Sequence, residues 1–370
     1  MNKRLLHTPE GVRDIYGLEY QRKLELQRSM RECIASYGYD AIQTPTFEFF
    51  DVFEKEVGTT LSKDLYKLVD KEGDTLVLRP DFTPSVARCA AKYFMDKEEP
   101  IRFTYEGNVY ANVSNLQGKL KEYTQMGAEL ICDDSVEADG EMLAMVVDTL
   151  LATGLTQFQV TVGNDAYFKG LCEEAGLDSD SEQALRELLS EKQYFAARTY
   201  LDNFTIQADA KAALLLLADF FGGLTDLQAL KTNTKNVRAL EAIDRLLALE
   251  EILKAYGINE YVSFDLAMLS KYHYYTGIIF KAYTYGLGDA IAKGGRYDKL
   301  LSYFGKDASA VGFMVVVDEM MEALSYQKIA VKTPEAKQTI FYTKETYMQA
   351  LAKAKQLRSK GCKVVLLAQK

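Results

Sequence analysis

Five short stretches place polar side chains inside apolar or aromatic runs: LRPDFTP at 78–84, FTYEG at 103–107, EYTQMGAEL at 122–130, YHYYTG at 272–277 and GGRYD at 294–298. If these runs are buried, Asp81, Gln125 and Glu129 lose their hydration. A buried carboxylate is costly unless a cation or hydrogen-bond donors replace the water. The pattern therefore asks either for a pocket with a cationic ligand or for an interior whose polar groups satisfy one another, and the residues alone leave both open. GGRYD by itself is a weak signal. Five such stretches in this order, with a change of composition between the third and the fourth, are a strong one.

Composition narrows the chemistry. The 370 residues are 48% hydrophobic, enough to bury a substantial core without disulfide staples. Five scattered cysteines form no CxxC pair, and only two histidines occur, His7 and His273. That argues for a reducing compartment and against a zinc site, an imidazole-bound metal or a histidine-dependent triad. Forty-four basic against 53 acidic residues give a net charge of −9, unlike a general nucleic-acid binder. No signal-peptide pattern opens the chain, and no run reaches the roughly 18 apolar residues of a membrane span. The expectation is a soluble, cytoplasmic protein without membrane contact.

The elements that must position these residues follow from periodicity. Residues 18–37 predict a helix with Leu26, Met30, Cys33, Ile34 and Tyr37 on one face. Residues 41–45 predict a strand that Pro45 confines to an edge or an interface. The runs 75–78, 102–105, 158–162 and 277–285 are rich in β-branched and aromatic residues and predict further strands. GGRYD reads as a glycine turn opening onto a helix. Between 181 and 256 the composition turns to Ala, Leu, Glu and Lys, predicting an all-helical insertion of about 180–257. Strands on both sides of a helical block predict an α+β fold with an antiparallel or mixed sheet. Residues 326–370 carry ten Lys/Arg and two Glu, a net of +8 in a chain of −9, which leaves −17 for residues 1–325. There the pattern is strand (339–343), helix (344–360), strand (363–368), a βαβ piece too small to bury its own faces. The expected division is thus 1–325 and 326–370.

The TPEGVRD opening at 8–14, the helix leading to Pro45, LRPDFTP, FTYEGNVY with EYTQMGAEL, YYTG, and GGRYD with AVGF at 310–313 together resemble a class II aminoacyl-tRNA synthetase core of the histidyl type. The resemblance runs from about residue 8 to 324. It implies a six-stranded antiparallel sheet flanked by helices and a dimer formed through the first motif. It also implies that Asp81 and Gln125 receive an α-ammonium, that Glu129 and Tyr275 meet the two nitrogens of an imidazole, and that Thr83 and Tyr274 complete a histidine pocket.

Departures from that family matter as much. Amino-acid activation sets a carboxylate against the α-phosphate of ATP, so such a site concentrates positive charge, and arginine forks supply it. On the motifs, Thr104 stands before Tyr105-Glu106 where an arginine is expected. Ser270 stands four residues before Tyr274, and Glu319 stands at or beside the third-motif arginine. Losing one such donor typically costs about 10²–10³ in rate, and three losses predict no useful adenylation. Arg102, Arg296, Lys119 and Lys121 lie nearby without restoring those positions, and the two lysines read as solvated loop charges. His273 reads as structural, Arg79 and Arg296 as loop braces or ligand contacts.

A scaffold that keeps a histidine pocket but lacks the activating arginines and a full anticodon-binding domain resembles the regulatory subunits of ATP phosphoribosyltransferase. That resemblance implies a non-catalytic subunit without a cofactor. It implies a hetero-oligomer with the short-form catalytic subunit, self-association as a dimer, and histidine as a feedback effector of the first step of histidine biosynthesis. tRNA binding is not expected. The loop at 112–118 is the expected lever over the pocket. The alternative is a divergent histidyl-tRNA synthetase-like enzyme that activates an amino acid.

Overall fold

The structure, a computed structural model, describes residues 6–53, 60–113, 120–217, 221–222, 224–270, 274–333 and 337–369. Helix α1 (Gly17–Ser36) buries Leu26, Met30 and Ile34, one residue per turn, and the left-handed Gly38 turns the chain out of it. Strand β1 (Asp40–Ala41) is cut short ahead of Pro45, and β2 (Phe47–Phe49), β3 (Lys67–Val69) and β4 (Thr75–Leu78) form a small antiparallel sheet in the order β2-β4-β3. Helix α2 (Thr83–Tyr93) starts on Pro84, whose missing N–H is harmless in a first turn.

The main sheet follows. Long strands β5 (Ile101–Tyr110) and β6 (Glu122–Ile131) lead to the almost wholly buried α3 (Val136–Ala152), then to β7 (Phe158–Asn164) and α4 (Asp165–Glu174). Helices α5 (Ser179–Ser190), α6 (Tyr194–Leu201) and α7 (Ala208–Leu216) precede β8 (Phe221–Gly222), α8 (Leu224–Leu230) and α9 (Val237–Tyr256). Strands β9 (Val262–Asp265), β10 (Ile278–Thr284), β11 (Ala292–Arg296) and β12 (Ala310–Val316) complete the sheet before α10 (Val317–Tyr326). Its order is β1-β5-β6-β12-β11-β10-β7-β9-β8. The run β5-β6-β12-β11-β10-β7 is antiparallel throughout, the six-stranded unit expected from the sequence. β1 and β9 add to its two ends in parallel, so the whole sheet is mixed.

Two expectations about local structure are corrected. The block 181–256 is not all helix, because β8 leaves it to pair with β9. GGRYD is not a turn into a helix, because Gly294, Gly295 and Arg296 are the end of β11, with neither glycine in the left-handed region. Those glycines serve close approach instead. A Cβ on Gly294 would collide with the Gly312 carbonyl and the Phe280 ring.

The chain divides into two units. One comprises Met1–Asp14 with Leu26–Ala330, the other Ile15–Glu25 with Val331–Lys370. In the second, β13 (Gln338–Tyr342) pairs in parallel with β14 (Val364–Ala368), and α11 (Tyr347–Ser359) crosses between them on the buried Ala350 and Ala354.

Arg296 ties the sheet to α3. Its guanidinium donates to Asp139, to the carbonyls of Asp133 and Ser135, and to Asp298, while Arg245 holds the other Asp139 oxygen at 2.6 Å. Asp139 has no solvent exposure, so it depends on both arginines. Arg296→Met should destabilise the fold by about 3 kcal/mol in urea unfolding, and adding Asp139→Asn should recover part of that loss.

Candidate functional site

Reading residues across the sheet, one row runs Phe103, Glu129, Gly312, Gly295, Ile279, Gly163 and the next Tyr105, Gly127, Met314, Lys293, Lys281, Thr161. All project from the same face. The run of glycines beside Glu129 lowers the floor. A Cβ on Gly312 would fall on the Glu129 carboxylate, and one on Gly295 would stand 2.6 Å from the Tyr275 ring. The hollow that results has a volume of about 340 Å³, within the roughly 300–1,000 Å³ of small-molecule sites.

Glu129 is 1% exposed and receives three hydroxyls. Thr83 Oγ1 donates to Oε1 at 2.7 Å, the Tyr105 hydroxyl to Oε1 at 3.3 Å, and the Tyr297 hydroxyl to Oε2. Burial nevertheless pushes its carboxyl up to about 8, with the charge of Asp81 adding to the rise and the hydroxyls of Tyr297, Thr83 and Tyr105 working against it. No charged partner bonds it among the described residues, and burial therefore favours the neutral acid at pH 7. Asp81 sits at the start of α2, where Oδ1 accepts from the Phe82 N–H at 2.7 Å. The rings of Tyr274 and Tyr275 lie tilted against each other with centroids 4.0 Å apart, and Tyr274 lies 6.2 Å from the Tyr297 ring, also tilted.

Five of the six residues singled out in the sequence line this cavity: Asp81, Thr83, Glu129, Tyr274 and Tyr275. Gln125 does not. It lies buried on the same face of β6, beyond Gly127, beside the Tyr123 phenol, and its Oε1 has no hydrogen-bond partner among the described residues. Sequence reasoning missed Tyr105, Tyr297, Lys281 and Lys293. The first two stood inside quoted motifs. The lysines carried no signal, since their pairing across β10 and β11 joins positions 12 residues apart.

The supposed arginine positions separate. Ser270 lines the cavity. Glu319 lies at the start of α10, where its charge, with those of Asp81 and Asp289, helps burial push the Tyr123 phenol up to about 12. Thr104 does not belong to the site. It pairs with Ala128, one residue out of step with Tyr105 and Glu129, so its side chain is on the opposite face, where its hydroxyl donates to the Gly127 carbonyl at 2.9 Å. Position 104 therefore says nothing about charge in the cavity. Arg79, Arg102 and Arg296 are all internal braces. Arg79 donates to the carbonyls of Thr44 and Asn108 and lies over the Phe82 ring, and Arg102 pairs with Glu141. His273, Lys119 and loop residues 114–118 lie outside the described residues.

The segment carrying Tyr274 and Tyr275 is fastened to α4 and α5. The Asp165 N–H donates to the Gly277 carbonyl at 2.9 Å, Arg186 reaches both the Asp165 carboxylate and the Ser270 carbonyl, and Lys169 pairs with Asp165 at 2.7 Å. Arg186 is wholly buried and lies over the Phe168 ring.

The profile of the histidyl-tRNA synthetase family matches residues 11–320. Curated relatives named ATP phosphoribosyltransferase regulatory subunit, from Ruminiclostridium cellulolyticum and Acetivibrio thermocellus, are each 36% identical, over 98% and 97% of this chain and 87% and 86% of theirs. The chain belongs to the ATP phosphoribosyltransferase regulatory-subunit family. A solved ATP phosphoribosyltransferase regulatory subunit/histidyl-tRNA synthetase from Bacillus halodurans matches this regulatory-subunit fold with a TM-score of 0.90 at 34% identity, over 98% of this chain and 93% of that one. A histidyl-tRNA synthetase from Nostoc shares the fold at a TM-score of 0.83 and 20% identity, over 98% of this chain and 86% of that one.

The raised Glu129 pKa has a definite sign. Between about pH 4.5 and 8 the unfolded chain has released this proton and the folded chain retains it, so stability falls as pH rises through that window. Glu129→Gln removes this slope. Unfolding free energies at pH 5 and pH 8 should show the variant gaining on wild type by an amount on the order of 4 kcal/mol.

Proposed function

We propose that this chain is the non-catalytic subunit that binds histidine and works with a short-form catalytic subunit of ATP phosphoribosyltransferase, relaying feedback inhibition of the first step of histidine biosynthesis in the cytoplasm. The observation that carries the reading is Glu129, a dry carboxyl held by three hydroxyls at the floor of a cavity sized for an amino acid. An imidazole brought to it takes its proton and leaves an ion pair in place of a neutral acid. Tyr275 stands ready for the other ring nitrogen and Asp81 for the α-ammonium, while Thr83 acts through Glu129, which its hydroxyl orients. Gln125 has no part in this arrangement as the cavity stands. Dimerisation would cover Phe47, Phe49 and Leu68, which one face of the small sheet leaves exposed. No helix among the described residues is long and apolar enough to cross a membrane.

The non-catalytic part of the reading rests on the charges that line the cavity. Among the described residues, arginine is absent from its walls, and the two cations there are lysines. Pyrophosphate exchange with ATP should therefore be absent at saturating histidine, whereas calorimetry should record histidine binding. Robust histidine-dependent exchange would instead make the chain an activating enzyme.

Affinity for histidine should follow a bell in pH. Below roughly pH 6.5 the ligand arrives already protonated and Glu129 must release its proton; above about pH 8 the pair must draw one from solution. Glu129→Gln should weaken binding by about ten- to a hundredfold at pH 7 and flatten the bell. Calorimetric titration from pH 5.5 to 9 checks both outcomes.

A further inference from the structure

Lys281 and Lys293 stand directly opposite one another on β10 and β11, and both line the cavity that holds Glu129. Like charges in that relation repel and weaken a sheet. Lys281 is also largely withdrawn from water, and its ammonium is held below the ordinary lysine value by burial first and by the charge of Lys293 second. Asp289 relieves part of the repulsion, pairing with Lys293 at 3.1 Å and attracting Lys281 together with Asp265. Two ammonium groups still converge on one wall of a cavity whose floor carries carboxyls.

Their place relative to Glu129 gives the arrangement a direction. Lys293 lies two strands over and one two-residue step along from Glu129, roughly 12 Å between Cα atoms by ordinary strand spacing, with both side chains on the same face. Acid groups (Glu129, Asp81) occupy one end and bases the other, with Ser270 in the wall. A ligand carrying only positive charge would meet repulsion at the lysine end. A dipolar ligand, cationic at one end and anionic at the other, meets complementary charge at both.

Resting on the reading that the cavity holds an amino acid, we infer that Lys281 and Lys293 form its anion subsite and take the ligand's carboxylate. The subsite supplies with two ammonium groups the countercharge that no arginine among the described residues of the cavity wall offers. Lysine suits a carboxylate that must be held and released, because it acts as a point charge without the bidentate fork.

Titration of the full chain with L-histidine and with histamine, which lacks the carboxylate, tests the inference in wild type, Lys281→Met, Lys293→Met and Lys281→Arg. Wild type should prefer histidine by about ten- to a hundredfold. Lys281→Met should reduce that preference below about threefold with histamine affinity unchanged or higher, and Lys281→Arg should keep most of it. Thermal unfolding monitors each fold, and Lys293→Met provides the same readout if Lys281→Met is unstable. An unchanged histidine-to-histamine ratio in both methionine variants overturns the subsite and leaves the amino-acid reading standing. Absence of histidine binding to wild type removes that reading and the inference with it. Inorganic phosphate added as competitor should displace histidine less well from Lys281→Met than from wild type, and equal competition in the two counts against the assignment.

Discussion

The site is organised around keeping one carboxyl group dry. Among the described residues, Glu129 is held by hydroxyls from Thr83, Tyr105 and Tyr297, which lie 46, 24 and 168 residues away along the chain, and by no charged partner. Each comes from a different element: the start of α2, the neighbouring strand β5, and the residue after β11. Three elements must therefore be in place before the carboxyl can be buried at all. The glycine at 312 is part of the same requirement, since any side chain there would occupy the space of the Glu129 oxygens. Burial raises the carboxyl and favours its neutral form, which is the feature of this hollow of about 340 Å³ on which the proposed function rests.

The distribution of the other charges reinforces this. Arg79, Arg186 and Arg296 are buried in structural tasks, gripping carbonyls or the carboxylates of Asp165 and Asp139, and none lines the cavity. The fold is shared with enzymes that handle a nucleotide triphosphate, but fold alone does not carry that activity. What the cavity offers is spread, modest charge: two carboxyls at one end and two ammoniums at the other. That suits a small dipolar ligand better than a triphosphate, whose concentrated charge calls for several cations together.

Much of this was legible in the sequence where the information was local. The buried stripe of α1, the TLVL strand, the long helices α5 and α9 and the terminal βαβ piece all follow from periodicity over a few residues. Five of six candidate site residues converge because each sits in a short, distinctive string. What failed was information carried between strands. Lys281 and Lys293 acquire meaning only from their register across β10 and β11, which no local pattern records. Thr104 failed for the complementary reason: a one-residue step along a strand reverses the face, so a position beside a site residue in the sequence can lie on the far side of the sheet from it. Gly294 and Gly295 misled because glycine marks turns and close approaches alike, and only the packing of Phe280 and Tyr275 against them tells which.

Under the proposed reading, occupancy of the cavity must be felt elsewhere, and the fold supplies a connection. The tyrosines on its wall belong to a segment fixed at Ser270, Tyr275 and Gly277 by Arg186, Lys169 and Asp165, all from α4 and α5. Arg186 and Asp165 are both buried and share a network with Lys169, which pairs with Asp165, and Glu182, which pairs with Arg186, so removing a member of the central pair costs about 3–5 kcal/mol. Coupling between two sites needs only about 1–3 kcal/mol of differential binding. The helices bearing that pair, α4 and α5, are thus bonded directly to the backbone of the segment that carries the cavity's tyrosines.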